Sequence, residues 1–221
     1  MHHRFHTFKG VLFDFDGTLA DTMGDHYNAW AAVLFEYGFQ LKREDYYPLE
    51  GMRVPDLAAH WLSLLNHLNK DGDRQLPTVE DIVRKKDAHY LKHHALRFFE
   101  GVEELIDSLK NEGIKIAIVT AARSHRLEKS VSSNFLKKFN AIVTGDLVTH
   151  PKPHPESYLK GAELLGLDPS VCLAIENAPL GVQSAKSAGM RCFAVCSTNT
   201  PEVLKDADEI FASIQSLQNW F

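Results

Sequence analysis

The sequence of 221 residues is poor in three features that would each point to a different class of protein. Its three cysteines, Cys172, Cys192 and Cys196, form no Cys-x-x-Cys pair, which argues against a disulfide framework. Lys and Arg number 24 against 29 Asp and Glu, and this net charge of −5 disfavours nucleic-acid binding. The apolar run Ile114–Ala122 contains Lys115 and is shorter than the ~18 apolar residues of a membrane span. We therefore expect a reduced, cytoplasmic protein with neither nucleic acid nor membrane as partner.

Short β-branched or aromatic runs alternate with helical patterns over most of the chain. The predicted strands are Val11–Phe15, Ile114–Thr120, Ala141–Thr144, Val171–Ile175, Arg191–Cys196 and Ile210–Ala212. Between the later strands, apolar residues at three- and four-residue spacing predict helices, each followed by a glycine that can end it. These helices are Val102–Leu109, Glu156–Leu165 and Leu180–Ala188. Alternating strands and helices form parallel β-α-β units, so we predict an α/β fold with a Rossmann-like parallel sheet.

One segment breaks this alternation. Residues 21–97 contain three or four helical patterns and no convincing strand, and Thr78 is placed to cap one of the helices. We predict a core domain of residues 1–20 and 98–221 with an inserted all-helical cap domain of residues 21–97. An insert after the first strand lies over the edge where open parallel sheets bind ligands, which is the position of a lid.

Two groups of polar residues resemble metal sites only weakly. The segment Asn69–Asp73 has acidic spacing found in calcium loops, but Arg74 occupies the position that needs glycine. His89 and His93 are four residues apart on a predicted helix and have no acidic or cysteine partner nearby in the sequence. We interpret the first as a polar loop and the second as surface histidines.

The first predicted strand ends in two aspartates. Asp14 and Asp16 are two residues apart and point to the same side of an extended chain. Neighbouring carboxylates at the end of an apolar strand are unfavourable unless they share a cation or a proton. The alternative is a structural turn, because Asp16-Gly17 between apolar runs is also a hairpin signal.

Four segments in the same order resemble the haloacid dehalogenase superfamily of phosphotransferases. They are Asp14-Phe15-Asp16-Gly17-Thr18-Leu19, then Thr120 at a strand end, Lys152-Pro153-His154-Pro155-Glu156-Ser157-Tyr158, and Glu176-Asn177-Ala178-Pro179. Each lies at or just after a predicted strand, and the resemblance spans nearly the whole chain. The helical insert resembles the cap of the β-phosphoglucomutase-like branch. The resemblance implies a haloacid-dehalogenase-like fold in which the cap covers the end of the sheet.

The resemblance assigns roles in catalysis and metal binding. The implied catalytic residues are Asp14, Asp16, Thr120 and Lys152. Asp14 would be the nucleophile that forms an aspartyl-phosphate, and Asp16 the general acid and then the base that activates water. The implied cofactor is Mg²⁺, and its ligands would be Asp14, the main-chain carbonyl of Asp16, Glu176 and Asn177. Asn177 departs from the family, since an aspartate is more usual there.

The resemblance also suggests residues that bind the substrate. They are Thr22, His26, Arg53, Lys86, Ala121 and Arg123. Thr22 and His26 lie where β-phosphoglucomutase has a threonine and a histidine that support its general acid. Arg53 is about one residue out of register with the arginine that holds the non-transferring phosphate in the mutase.

These features predict a magnesium-dependent phosphatase that acts on a small phosphorylated metabolite, a sugar phosphate, as a monomer or weak homodimer. A phosphosugar mutase of the β-phosphoglucomutase type is the nearest alternative, because it shares the same core residues. Dehalogenation is disfavoured because it requires neither Asp16 nor Glu176. A catalytically silent binding or regulatory protein is a third alternative, and Asn177 and Pro151 are the departures that favour it.

Overall fold

A six-stranded parallel sheet forms the centre of the computed structural model, which describes residues 8–69 and 75–219. The strands are β1 Gly10–Phe13, β2 Lys115–Val119, β3 Ala141–Val143, β4 Cys172–Glu176, β5 Arg191–Val195 and β6 Glu209–Phe211. Their order across the sheet is β3-β2-β1-β4-β5-β6, and every pairing is parallel. The six predicted strands and the α/β class are confirmed, with strand ends that differ from the prediction by at most two residues.

Ten α-helices surround or extend from this sheet in the described part of the chain. They are α1 Met23–Phe35, α2 Arg43–Tyr46, α3 Val54–Leu68, α4 Val79–His93, α5 Val102–Asn111, α6 Ser124–Ser130, α7 Ser133–Leu136, α8 Glu156–Leu165, α9 Pro179–Ser187 and α10 Ile214–Gln218. The three helices predicted between the later strands are α5, α8 and α9. Thr78 caps α4 as predicted, since its side-chain oxygen accepts the Asp81 N–H at 3.1 Å.

Apolar side chains cover both faces of the sheet. Successive strand residues point to opposite faces, so Phe13 and Ile118 join one apolar cluster while Leu12 and Ala117 join the other. On the second face, α8 approaches closely at Gly161, where a Cβ atom would lie 2.6 Å from Leu12 Cδ2. Burial on both faces explains why the strands are apolar throughout rather than alternating.

The segment between β1 and α5 has an apolar cluster of its own. Trp30, Leu34, Trp61 and Ile82 are among its fully or almost fully buried members, and α1 to α4 supply most of its side chains. We call this segment the helical insert, and define it as residues 21–97. Its separate cluster supports the predicted domain boundaries, which stay a prediction.

Two adjacent connections join the helical insert to the sheet. The Asp21 N–H donates to the Arg97 carbonyl at 2.8 Å, and Ala20 and Phe98 form an isolated antiparallel bridge. The chain therefore leaves the sheet and returns to it at one place, just after β1. This arrangement sets the helical insert over the carboxyl ends of the central strands.

The strand order fixes where those carboxyl ends meet. The connection after β1 leads to one side of the sheet and the connection after β4 leads to the other, so the two connections diverge. In open α/β sheets, ligands bind in the crevice between such connections.

Within residues 8–69 and 75–219, no helix has both the length and the apolar character needed to cross a membrane. The acidic part of the segment predicted as a polar loop, residues 70–74, lies outside the described residues.

Candidate active site

Side chains from two strand ends and one loop converge at the carboxyl edge of the sheet, where a main-chain carbonyl of a third strand also meets them. Asp14 follows β1, and Glu176 is the last residue of the neighbouring strand β4. The Lys152 ammonium lies between them, 2.8 Å from Asp14 Oδ1 and 2.6 Å from Glu176 Oε1, and also donates to the Val119 carbonyl at 3.2 Å. All three charged side chains are almost completely buried. The structure thus brings together residues that are 138 positions apart in the case of Asp14 and Lys152.

Negative charge exceeds positive charge around Asp14. Burial raises the pKa of Asp14 to about 8, because Lys152 offsets it only in part and the nearby Glu176 adds a second negative charge. Burial would lower the pKa of Lys152, but the two carboxylates outweigh it and hold that pKa above its usual value. A further cation beside Asp14 would therefore stabilise its ionised form.

The Glu176 carboxylate accepts more hydrogen bonds than the Asp14 carboxylate. Its Oε1 accepts hydrogen bonds from Lys152 and from the Tyr158 hydroxyl at 2.8 Å, and its Oε2 accepts the N–H groups of Asn177 at 3.0 Å and Ala178 at 3.3 Å. A Cβ atom on Gly181 would lie 1.8 Å from Oε1, so this glycine lets the helix start pack directly on the carboxylate. Tyr158 lies in the first turn of α8 and closes the segment that begins at Lys152, but sequence reasoning assigned it no role.

Asp16 lies in a different environment, among donors rather than carboxylates. Its Oδ1 accepts the Thr22 hydroxyl at 2.7 Å and lies 3.2 Å from His26 Nε2, while Arg126 forms an ion pair with both oxygens. Burial would raise the pKa of Asp16, but Arg126 and His26 outweigh it and hold the pKa well below its usual range. Asp16 is therefore ionised in this structure. Sequence reasoning missed Arg126, which sits inside α6, six residues after Thr120.

His26 is linked to a buried lysine of the helical insert. Burial, reinforced by the Lys86 charge, lowers the pKa of His26 to about 3, so the ring is neutral. The Lys86 ammonium lies 3.0 Å from His26 Nδ1 and donates to it, which leaves the proton on Nε2 to donate to Asp16. The ring also stacks on Tyr90, with centroids 4.2 Å apart. Thr22, His26 and Lys86 thus form a chain of contacts that ends on the Asp16 carboxylate.

Asp14 and Asp16 line one narrow cavity between the sheet edge and the helical insert. Its volume is about 60 Å³. The sheet side contributes Thr120 and Ala121, and the helical insert contributes apolar side chains such as Trp30. Thr120 is buried and its hydroxyl oxygen accepts the Ala122 N–H at 3.1 Å, which shapes the turn after β2.

Three of the residues predicted to bind substrate, Thr22, Arg53 and Arg123, do not line this cavity. Arg53 forms an ion pair with Asp56 at 2.8 Å and donates to the Thr149 carbonyl at 3.3 Å. Arg53 and Arg123 instead line a neighbouring cavity of about 410 Å³, which shares Ala121 with the first. The predicted contact of Arg53 and Arg123 with substrate stays a prediction, and both residues lie at the outer cavity rather than beside Asp14.

Asn177 and Glu50 meet across the boundary between sheet and insert. The Asn177 amide oxygen accepts the Thr18 hydroxyl at 3.1 Å, and its NH₂ group donates to Thr198 at 2.8 Å and to Glu50 Oε2 at 3.5 Å. Burial raises the pKa of Glu50 to about 7, although Thr198 and Asn199 donate to its carboxylate. Sequence reasoning missed Glu50, because it lies between two helices and belongs to none of the four segments.

The oxygen donors at the cavity suit a magnesium ion, which prefers hard oxygen ligands. Asp14 and Asn177 line the cavity with a carboxylate and an amide, and the charge excess around Asp14 favours a cation. Glu176 fits this role less directly, because its two oxygens already accept four hydrogen bonds. The Asn177 amide oxygen already accepts the Thr18 hydroxyl but has a second lone pair, so Asp14 and Asn177 fit the ion, and Glu176 would bind it only by giving up a hydrogen bond.

The loop that carries Lys152 is held by a carboxylate at the start of α8. Glu156 accepts the N–H groups of Thr149 at 2.7 Å and His150 at 2.8 Å, and its Oε2 also lies 2.8 Å from the His150 ring. These hydrogen bonds lower the pKa of Glu156 to about 2. Glu156 therefore fixes the entry to the loop two residues before Lys152.

A parallel sheet with paired aspartates after its central strand and a helical insert above them defines a capped, Rossmann-like protein. The profile of the haloacid dehalogenase-like hydrolases matches residues 11–195, and the chain belongs to this family. Within it, the chain falls in the β-phosphoglucomutase-like branch. The crystal structure of β-phosphoglucomutase from Clostridium difficile superposes with a TM-score of 0.80 at 25% identity, covering 95% of this chain and 93% of that one.

Two relatives known from their sequences differ greatly in length. Hexitol phosphatase A of Escherichia coli K12 is 27% identical over 209 residues, which are 95% of this chain and 93% of the relative. Protein SUPPRESSOR OF QUENCHING 1, chloroplastic, of Arabidopsis thaliana is 32% identical over 201 residues, 90% of this chain. The chain spans about a fifth of that protein, since the match covers 19% of it.

Proposed function

We propose that this chain is a magnesium-dependent phosphatase that removes phosphate from a small phosphorylated metabolite through an aspartyl-phosphate on Asp14. The observation that carries the proposal is the shared narrow cavity of Asp14 and Asp16, with the Lys152 ammonium 2.8 Å from Asp14. The relationship to hexitol phosphatase A supports a phosphate ester as the substrate.

The residues divide the reaction into two steps. In the first, a carboxylate oxygen of Asp14 bonds to phosphorus, the bond from phosphorus to the ester oxygen breaks, and Asp16 gives that oxygen a proton. In the second, water attacks the phosphorus of the aspartyl-phosphate, Asp16 takes a proton from the water, and Asp14 leaves with its electron pair. Lys152 keeps Asp14 oriented and stabilises charge on the transferring group. A bound magnesium ion would supply further positive charge against the phosphoryl oxygens, held by Asp14, the Asp16 carbonyl, Asn177 and, after rearrangement, Glu176.

Asp16 has to hold a proton in the first step, whereas its ion pair with Arg126 keeps it ionised without substrate. A guanidinium also binds phosphate oxygens strongly. We infer that a substrate phosphate draws Arg126 away from Asp16, so that the same arginine binds substrate and releases the acid. His26 and Thr22 keep Asp16 oriented during this exchange.

The cavity wall supports a substrate that carries hydroxyl groups. Glu50 Oε1 is buried, has no hydrogen-bond partner in the described part of the chain, and belongs to a residue that lines the cavity. Buried polar atoms are normally paired, so this oxygen suits a hydroxyl donor of the ligand. A sugar phosphate or polyol phosphate would supply such a donor next to its phosphate.

The test is release of inorganic phosphate from a panel of sugar and polyol phosphates with magnesium, for the wild type and matched variants. Asp14→Asn and Asp16→Ala should each lose about a thousandfold or more in kcat/KM. Asp107→Asn changes an exposed aspartate that pairs with Lys138, and should retain wild-type rates. Equal background rates in all four proteins, with an aryl phosphate included in the panel, would support the silent binding protein instead.

A phosphosugar mutase is the second candidate, and the contacts of Thr22 and His26 with Asp16 favour it. These two residues lie where the mutase has its supporting threonine and histidine. Against it, Arg53 is paired with Asp56 and lies outside the Asp14 cavity. Isomerisation of glucose 1-phosphate that requires glucose bisphosphate, without net phosphate release, would establish the mutase.

A further inference from the structure

Glu50 joins the helical insert to the sheet edge through one carboxylate oxygen. Its Oε2 accepts hydrogen bonds from Thr198 Oγ1 at 2.8 Å, from Asn199 Nδ2 at 3.1 Å and, at the longer distance of 3.5 Å, from Asn177 Nδ2. All three donors lie more than 120 positions later in the chain, at the carboxyl ends of β4 and β5. Glu50 itself is 2% exposed. These donors offset part of the cost of burying a carboxylate this completely, and because they belong to the sheet edge they tie the insert to it.

Asn177 is chemically matched to this carboxylate. Its NH₂ group donates to Glu50 and Thr198, while its amide oxygen accepts the Thr18 hydroxyl. An aspartate here would put an oxygen in place of that donor, close to Glu50 and next in sequence to Glu176. Like charges at such distances in a buried site are strongly unfavourable. The departure from the family's usual aspartate is therefore explained by what lies opposite it.

We propose that Glu50 and Asn177 form a latch that positions the helical insert over the Asp14 cavity, and that position 177 is an amide because it donates to Glu50. Glu50 is a positioning residue in this role, acting through its Oε2. The proposal deepens the proposed function and rests on it, since the cavity that the latch closes is the proposed active site.

Amide hydrogen exchange without substrate or metal tests the latch directly. The readout is the exchange rate of residues 47–54, which contain Glu50 and pack against the sheet edge. Glu50→Ala should raise this rate by about tenfold or more, since hydrogen bonds to a charged group contribute ~1.5–3 kcal/mol. Glu44→Ala is the matched control, because Glu44 is an exposed glutamate of the same insert that pairs with Lys42. Its exchange should match the wild type.

A variant that swaps the carboxylate at position 50 with the amide at position 177 tests the hydrogen bond between them, rather than the packing of the two side chains. Asn177→Asp should raise the exchange rate as Glu50→Ala does. The double variant Glu50→Gln/Asn177→Asp places the amide on the insert and the carboxylate on the sheet, and should return to within about threefold of wild type. Failure of Asn177→Asp to fold, with folding restored in the double variant, supports the latch in the same way.

An exchange rate of residues 47–54 that is unchanged in Glu50→Ala, or unchanged in Asn177→Asp, would overturn the latch. A double variant that exchanges as fast as Asn177→Asp alone, or folds as poorly, would also overturn it. Because the measurement needs no turnover, it separates the two proposals. A wild type that hydrolyses no phosphate ester would remove the proposed function while leaving the exchange result intact.

Discussion

Asp14 and Asp16 are two residues apart, yet the molecule surrounds them with partners from different regions. The sheet and its loops supply the partners of Asp14, namely Lys152 and, behind it, Glu176. Asp16 depends on the start of the helical insert through Thr22 and His26, and on Arg126. As a result burial raises the pKa of Asp14, while positive and donating neighbours lower that of Asp16.

The sheet and its loops therefore fix the surroundings of Asp14, whereas a change in the position of the insert would change the surroundings of Asp16. Movement of the insert would leave the Lys152 contact of Asp14 intact but would remove two donors from Asp16. Under the proposed function, Asp14 is a nucleophile with a fixed orientation and Asp16 an acid whose charge follows the position of the insert, as phosphoryl transfer under a lid requires. Each variant below weakens the interactions that surround either Asp14 or Asp16.

The largest effect is expected at Lys152. Lys152→Met leaves Asp14 and Glu176 buried without their cation, so the free energy of unfolding should fall by about 3–5 kcal/mol and phosphate release should be abolished. Urea denaturation and the phosphate assay measure both. Lys186→Met is the control, since Lys186 pairs with Asp208 at 2.6 Å but is 38% exposed, and should cost about 0–1 kcal/mol. Equal losses in the two variants would contradict the buried charge triad.

Arg126→Met should have the next largest effect, on the Asp16 side. Asp16 has a folded pKa below its unfolded value of about 3.9, so its contribution to stability is complete above that pH and is lost as pH falls through the folded value. Without Arg126, burial raises the pKa of Asp16, and stability should fall by about 2 kcal/mol at pH 7. In the variant the raised pKa makes the Asp16 contribution less unfavourable as pH falls, so the difference in unfolding free energy between wild type and variant should shrink from pH 7 to pH 3. Parallel curves would show that Arg126 does not set the charge of Asp16.

The positions of the residues that follow strand ends could be predicted from the sequence, whereas the roles of Thr120 and Glu176 rested on the family resemblance. Asp14, Thr120 and Glu176 all lie at the carboxyl end of a strand, and parallel strands bring those ends together whatever the rest of the chain does. Lys152 required the family resemblance, because a lysine in a loop carries no local signal of its own.

The partners that come from helices could not be predicted in this way. Arg126 reaches Asp16 from inside α6, and Glu50 reaches the sheet from an irregular segment of the insert. Such contacts depend on how a helix is rotated and how the insert sits on the sheet, which hydrophobic spacing does not determine. Arg53 illustrates the limit, since it lies near the expected register but pairs with Asp56 three residues later.

Lys86→Met tests the surroundings of Asp16, because Lys86 contacts His26 and His26 contacts Asp16. Burial and the Lys86 charge together lower the pKa of His26 to about 3, so removing Lys86 should raise that pKa while burial keeps it below 6.5. An NMR titration of the His26 ring measures the shift directly, and turnover should fall by about tenfold because the ring loses its fixed tautomer. Lys85→Met is the control, as this neighbouring lysine pairs with Glu36 away from the cavity. The same His26 titration in both variants would exclude the contact between Lys86 and His26.

The smallest effect is expected at Glu156, which supports Asp14 only through the Lys152 loop. Its folded pKa of about 2 lies below the unfolded value of about 4.3, so its contribution is complete above pH ~4.3 and is lost as pH falls towards 2. Glu156→Gln removes this dependence, and the thermal midpoint should fall less between pH 5 and pH 3 than in the wild type. Glu163→Gln, an exposed position on the same helix, should keep the wild-type slope. If Glu156→Gln also keeps that slope, the hydrogen bonds to Thr149 and His150 do not hold the loop, and Lys152 is oriented by the contacts of its own ammonium.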